Sequence, residues 1–383
     1  MTQSPYLTPA HEKLREKVRA FAEKEIKPLA AELDEKEIFS TELTAKMGEL
    51  GLFGIQTPRE LGGKGLDTLS YIIAVEELAR VDSSQAATVA AVNSLAIAPI
   101  INYGTEEQKK KYVPPLTTGR KTWAFGLTEK NAGSDAMGSE TTAELQGNEW
   151  VINGSKMHIT NAASEISAGV TLQAVTGMKD GRKRLSAILV ERGTPGFTTE
   201  RMTGKLMWRA SDTGRLFFDN CRVPKENLLG EPGQGGRIML NTLDAGRLSI
   251  AAIGLGLARG AYEAALAHAK ERQQFGQPIS KFQAVAFKLA DMDVKIELAR
   301  NTLYHACWRK DNKLPFAREA AISKLYTSEI AREVADEAVQ IFGAKGLFKP
   351  TDVERFYRDQ RLLQIGEGTS EILRIVISRH LGA

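Results

Sequence analysis

The sequence predicts an α+β protein in three parts. These are an N-terminal α-helical domain over residues 1–120, a middle β-barrel or sandwich domain over 121–230, and a C-terminal antiparallel four-helix bundle over 231–383. Three observations carry this. Apolar residues recur at helical spacing in the first and last thirds. Between them the pattern changes to short β-rich runs separated by Gly, Asn, Asp and Pro. The segment Glu231-Pro232-Gly233-Gln234-Gly235 then punctuates the return to long helical stretches.

In the first third, Leu14, Val18, Phe21, Ile26 and Leu29 fall near one helical face, with Glu, Lys and Arg between them. Pro28 should kink or restart that helix. Leu50 to Ile55 forms an apolar patch ahead of the turn Leu61-Gly62-Gly63-Lys64-Gly65. Residues 68–80 and 85–101 read as two further helices. The second is almost uncharged, which places it in a core or along an apolar pocket. Thr105-x-x-Gln108 is a capping-box signal, and Pro114-Pro115 should end the helix it opens. In the middle third, Trp150-Val151-Ile152, Ser186-Ala187-Ile188-Leu189-Val190 and Leu216-Phe217-Phe218 read as strands, and Asn153-Gly154 as a hairpin turn. Helices follow at about 236–271, 281–310 and 316–342, with a shorter one from 369.

Bulk properties narrow the function. A hydrophobic content of 42% supports a sizeable core. The 51 basic residues against 47 acidic ones leave a net charge of +4, too small an excess to argue for nucleic acid or a membrane surface. The two cysteines, Cys221 and Cys307, are far apart, so they give neither metal spacing nor a disulfide framework. No metal site is expected, since none of the five His pairs at ligand spacing. No signal-peptide pattern and no transmembrane helix is expected, which favours a cytoplasmic protein and leaves a processed organellar one open.

Glu367 is the residue with the clearest chemistry. It lies in Ile365-Gly366-Glu367-Gly368-Thr369-Ser370, just before a C-terminal apolar helix that Thr369 or Ser370 can cap. A carboxylate between two glycines has small neighbours and a permissive backbone, which suits a general base. The plain structural alternative is a Gly-rich turn with a solvated acid.

Four further segments change that balance. They are Trp123-Ala124-Phe125-Gly126-Leu127-Thr128-Glu129-Lys130-Asn131-Ala132-Gly133-Ser134-Asp135, Lys156-Met157-His158-Ile159-Thr160-Asn161, Glu271-Arg272-Gln273-Gln274-Phe275-Gly276 with Gln283, and Gln340-Ile341-Phe342-Gly343-Ala344. With Glu367 they run in an order and spacing that resembles the acyl-CoA dehydrogenase family, over essentially the whole chain from Leu7 to Leu381. The family's members are flavoproteins that oxidise acyl-CoA thioesters at the α and β carbons.

The resemblance implies FAD, with Phe125, Leu127, Thr128, Gly133, Ser134, His158, Ile159 and Thr160 on the flavin. It implies that Arg272, Phe275, Gln283, Gln340, Ile341, Gly343 and Ala344 reach the FAD of a neighbouring subunit, and that Thr369 and Glu371 touch the cofactor. Ser134, Asp244, Arg247 and Gly368 would contact the acyl-CoA. Turn capping competes as a reading of Thr128 and Ser134, and a helix salt bridge as a reading of Asp244 and Arg247. His158 departs from the family's usual Trp or Phe, Gln274 from a common Thr, and Ala344 and Lys345 from a Gly-rich pattern. A minority of relatives carry the base at the position of Gly246, which cannot act as one. Gly254-x-Gly256-x-x-x-Gly260 has the wrong spacing for a dinucleotide fingerprint and reads as helix packing.

The expected function is therefore α,β-dehydrogenation of an acyl-CoA to the 2-enoyl-CoA, in fatty acid or carboxylic acid degradation. Glu367 takes the α-proton, FAD takes the β-hydride, and electrons pass to an electron-transferring flavoprotein. A homotetramer is expected. Gly366 stands where straight-chain relatives often carry Tyr, so the pocket is expected to accept branched or cyclic acyl groups, with Leu95, Ala96, Ile97 and Ala98 on its wall. An acyl-CoA oxidase using dioxygen is the alternative within the family. A non-catalytic flavin- or CoA-binding partner is the alternative outside enzymes. Rapid reoxidation by oxygen distinguishes the first, and absence of any turnover the second.

Overall fold

The structure, a computed structural model, describes residues 4–382. The N-terminal helices are α1 (Pro9–Phe21), α2 (Lys27–Glu35), α3 (Thr41–Leu50), α4 (Thr68–Ala79), α5 (Ser83–Ala91), α6 (Ala98–Tyr103) and α7 (Glu106–Thr117). Pro28 does restart a helix. A five-residue π-helical stretch, Ala22–Ile26, joins α1 to α2, and Pro28 sits in the first turn of α2, where a missing N–H costs nothing. Val18 and Ile26 are buried as the pattern implies, but Leu29 is exposed. The wider π turn shifts the helical register there, so Leu29 leaves the common face.

The capping box at Thr105 and Gln108 is present, yet Pro114 and Pro115 lie inside α7 rather than ending it. The helix runs on to Thr117 and closes with Thr117 Oγ1 donating to the Pro114 carbonyl at 2.9 Å. Two stretches, Ser83–Tyr103 and Gly235–Glu271, are long and apolar enough to cross a membrane by length and composition. Their most apolar windows are 83% and 72% buried inside the protein, so protein already covers these faces.

The middle domain is one sheet with strand order β6-β7-β3-β2-β4-β5-β8 and β1 paired to β4. Its strands are β1 (Thr122–Gly126), β2 (Thr142–Gln146), β3 (Glu149–Thr160), β4 (Ser167–Lys179), β5 (Arg182–Glu191), β6 (Phe197–Arg201), β7 (Thr213–Pro224) and β8 (Leu228–Leu229). Phe197 from one edge and Ile188 near the other share one apolar core with Trp150, Leu172 and Phe218. The sheet therefore wraps round its core like a barrel, without β6 and β8 pairing to close it. Asn153-Gly154 is not a hairpin turn: β3 runs straight through it. Gly154 takes φ 141, and a Cβ there would meet the Thr141 Cα at 2.7 Å, so this glycine marks a bulge with close backbone approach. The reversal into β3 comes earlier, between Gln146 and Glu149, which pair across it.

Beyond α8 (Gly235–Glu271), a two-stranded ribbon of β9 (Gln273–Gln274) and β10 (Gln277–Pro278) leads into α9 (Gln283–Asp311). α10 (Ala317–Phe342), α11 (Asp352–Asp359) and α12 (Ser370–Leu381) complete the chain. Lys288–Glu337 at 2.5 Å and Lys295–Glu333 at 2.6 Å set α9 antiparallel to α10. α8 lies between α10 and the N-terminal α4, and all three share a single apolar core. The glycine stripe on α8 makes this possible. A Cβ at Gly256 would lie 2.3 Å from the Glu76 carbonyl, and one at Gly260 2.2 Å from the Arg80 carbonyl. The helix-packing reading of these glycines therefore holds. Beside them Arg259 bridges Glu76 at 2.5 Å and Glu77 at 2.8 Å, and Tyr304 donates to Glu76 at 2.6 Å. Cys221 and Cys307 are buried free thiols.

Candidate active site

The segment between α11 and α12 carries Glu367 at φ 52 and Gly368 at φ 97. A glutamate in the left-handed region costs about 1 kcal/mol, so packing must hold it there. Thr369 fixes the far side by capping α12, accepting from the Ile372 N–H at 3.3 Å. Ser370 donates to Glu329 Oε1 at 2.8 Å.

The Glu367 side chain points at a bare turn of α8. A Cβ at Gly246 would lie 2.1 Å from Glu367 Oε2. Oε2 is buried and has no hydrogen-bond partner. Burial pushes the carboxyl up to about 7, against the pull of Lys324 and Arg247. Structural acids in protein interiors are normally paired. A buried, unpaired carboxylate titrating near neutrality marks a functional group.

Around it, Arg247 is buried and ion-paired to Asp244, the pairing that competes with a CoA contact as a reading of their spacing. Burial raises the Asp244 carboxyl, and Arg247 opposes the rise. Two neighbours were not legible in the sequence. Lys324 on α10 is fully buried and donates to the Gly368 carbonyl at 2.6 Å. Tyr71 on α4 is buried and donates to the Ala90 carbonyl at 2.9 Å. Both occupy ordinary positions in helical repeats, so nothing in their spacing marks them. Gly366 is half-buried, and a Cβ there would meet Leu362 at 3.6 Å, an ordinary contact.

A second group gathers at the end of β1. The Met157 N–H donates to the Thr128 carbonyl at 3.0 Å, which sets Phe125, Leu127 and Thr128 beside His158, Ile159 and Thr160. Beneath them buried Lys156 holds the Leu127 carbonyl at 3.0 Å and Glu129 at 2.6 Å. Burial brings the Lys156 ammonium down to about 8, with Glu129 opposing. His158 is exposed and left-handed at φ 59, inside a bulge where β3 loses register with β7. Gly133 and Ser134 lie in the exposed turn that follows, whose Met137 packs within 2.9 Å of where a Gly236 Cβ would stand. Gly246 is ten residues further along α8, roughly 15 Å by helical rise.

This surface fits the flavin that the resemblance implies. Gly133 has open space where a Cβ would stand, Thr128 and Thr160 are half-buried, and the β3 bulge frees backbone from the ladder.

The third group is elsewhere. Arg272 and Phe275, at the ribbon after α8, and Gln283, which opens α9, are exposed, with Phe275 at 93%. Gln340 and Ile341 end α10, Gly343 and Ala344 follow in the next turn, and the His268–Phe342 stack at 4.2 Å joins the ends of α8 and α10. About 25 residues of α8 separate this end from Gly246, roughly 38 Å by helical rise. One chain does not bring the third group to Glu367. Glu371 is exposed on the first turn of α12. Among the described residues no His, Cys, Asp or Glu cluster is arranged to hold a metal.

Three family models match the chain. They describe the N-terminal domain of acyl-CoA dehydrogenase over residues 8–120, its middle domain over 124–221 and its C-terminal domain over 233–382. A short-chain specific acyl-CoA dehydrogenase of Rattus norvegicus is 46% identical, covering 99% of this chain and 92% of its own. The butyryl-CoA dehydrogenase of Megasphaera elsdenii superposes with a TM-score of 0.95 at 41% identity, over 98% and 99% of the two chains. A chain from a structure of the electron transferring flavoprotein of Acidaminococcus fermentans gives 0.96 at 44% identity, over 99% of each. With all three domains matched in order and the buried Glu367 Oε2 facing the bare turn at Gly246, the chain belongs to the acyl-CoA dehydrogenase family.

Proposed function

We propose that Glu367 is the base that removes the α-proton of a short acyl-CoA thioester, giving the 2-enoyl-CoA. The observation that carries this is the buried, partnerless Oε2 facing Gly246, with its carboxyl near 7. At that value the group is ionised often enough to accept a proton and basic enough to hold it. FAD, the cofactor of an acyl-CoA dehydrogenase, supplies the hydride acceptor that no side chain provides. The residues that would hold it are Phe125, Leu127, Thr128, Gly133, Ser134, His158, Ile159 and Thr160.

The Glu367 N–H is proposed as a donor to the thioester oxygen, where developing negative charge gains most from a fixed dipole. Ser134, Asp244 and Arg247 are proposed to border the CoA. Electrons leave to an electron-transferring flavoprotein, a reading favoured by the similarity to the Acidaminococcus chain. The names of the rat and Megasphaera relatives favour short acyl groups. The missing side chain at Gly366 is further proposed to leave room for branching or a ring near the thioester. The distance between Glu367 and Arg272, Phe275, Gln283 and Gln340 is best explained if these residues complete the site of a second subunit in a homotetramer.

Glu367→Gln tests the base. The variant should keep FAD and bind butyryl-CoA, while flavin bleaching slows by on the order of 10³-fold. Near-normal bleaching would refute the assignment.

A further inference from the structure

Lysines are seldom fully buried unless an acid pairs with them. Lys324 is fully buried, and among the described residues it forms no ion pair. Its Nζ spends one donor on the Gly368 carbonyl at 2.6 Å. That carbonyl belongs to the residue after Glu367, in a turn where both residues are left-handed and no ladder fixes the backbone. Burial brings the ammonium down to about 8, and Glu367 is the largest influence opposing that fall.

The other charges near this point are already committed. From α8, Asp244 and Arg247 pair with each other. Glu329 of α10 accepts from Ser370 at 2.8 Å and from Gln364 at 2.9 Å. On α12, Glu371 is exposed, and His380 Nδ1 lies 2.9 Å from the Val376 carbonyl. From α4, the Tyr71 hydroxyl is held by Ala90.

We propose that Lys324 is a positioning residue for the base: its buried ammonium clamps the Gly368 carbonyl and keeps the Glu367 carboxylate charged and in place. This rests on Glu367 being the base. It assigns to α10 a part in the chemistry that the α11–α12 segment presents. The charge acts through space on the carboxylate, and the hydrogen bond acts through the peptide that carries it.

The test uses the FAD-loaded protein with Lys324→Met, which removes charge and donor, and Lys324→Gln, which keeps a donor without the charge. The first readout is the infrared band of the protonated Glu367 carboxyl, identified as the one lost in Glu367→Gln and followed against pH. The second is the pH profile of flavin bleaching by butyryl-CoA. Both variants should move the carboxyl titration upward by about one unit, a tenfold change in its ionisation constant. The acid limb of bleaching should move with it, leaving KM little changed, and the alkaline plateau should fall further in Lys324→Met, which loses the clamp, than in Lys324→Gln. Lys324→Arg should restore the limb.

A carboxyl that titrates at the wild-type pH in both neutral variants overturns the proposal, as does a loss of rate equal at every pH. Should Lys324→Met fail to retain FAD, the Gln and Arg variants decide the matter between them. Normal bleaching by Glu367→Gln would instead sink the base assignment, and the infrared titration reads Lys324 independently of that result.

Discussion

Gly246→Ala adds one methyl group where the base needs none. The new Cβ would stand 2.1 Å from Glu367 Oε2 and 3.0 Å from Cδ, whereas real Cβ contacts stop near 3.0 Å. The atom in conflict is the tip of a flexible side chain, so the carboxylate must retreat by about 1 Å while α8 stays in place. Misplacing a reacting group by about 1 Å costs on the order of 10²-fold in rate. Anaerobic stopped-flow bleaching with butyryl-CoA should therefore slow about a hundredfold. FAD content should hold, and Tm should change little, because alanine suits a helix interior better than glycine. In a Glu367→Gln background the same substitution should add almost nothing, since the displaced base is already gone. Bleaching within a few-fold of wild type, or full additivity in the double variant, would refute the steric argument.

Three other outcomes are expected. Burial raises the Glu367 carboxyl from 4.5 unfolded to about 7 folded, so stability present below 4.5 is lost as pH rises through 7. Glu367→Gln escapes that loss. Its unfolding free energy should exceed that of wild type by on the order of 3 kcal/mol well above pH 7 and converge with it below pH 4.5; a gap independent of pH would contradict the carboxyl's burial cost. Gly366→Tyr should lower kcat/KM for branched or cyclic acyl-CoAs while largely sparing butyryl-CoA, and equal losses in both classes would remove Gly366 from the specificity account. Sedimentation should give a tetramer at micromolar concentration; a monomer with stoichiometric FAD would refute a shared site.

What the sequence disclosed depended on how local the determinant was. Glu367 was readable because two glycines flank it, and the second readable clue was a missing side chain at Gly246. Helix boundaries were readable from caps such as Thr105 and Thr369, which act within one turn. Asn153-Gly154 misled because the same dipeptide serves a tight turn or a bulge, and the choice rests on Thr141 lying opposite. The reach of α7 past Pro114 depends on a side-chain bond from Thr117, which a proline rule does not count. Lys324 looked like any surface lysine, since its burial arises only when the segment before α12 folds back on α10. The separation of Arg272 from Glu367 is a property of the length of α8 and is invisible to motif order.

The contact between α4 and α8 also bears on which motions the fold permits. With Gly256 and Gly260 seated on the carbonyls of Glu76 and Arg80, sliding α8 by one residue in either direction would drive a Leu or Ala side chain into peptide backbone. Arg259 would have to leave two carboxylates in the dry interior at the same step. The seam is a register lock. Shear of the N-terminal helices past the bundle is therefore opposed both by backbone contact and by the cost of unpairing buried charge. Amide exchange should be slowest along this seam, where both backbones are buried in contact.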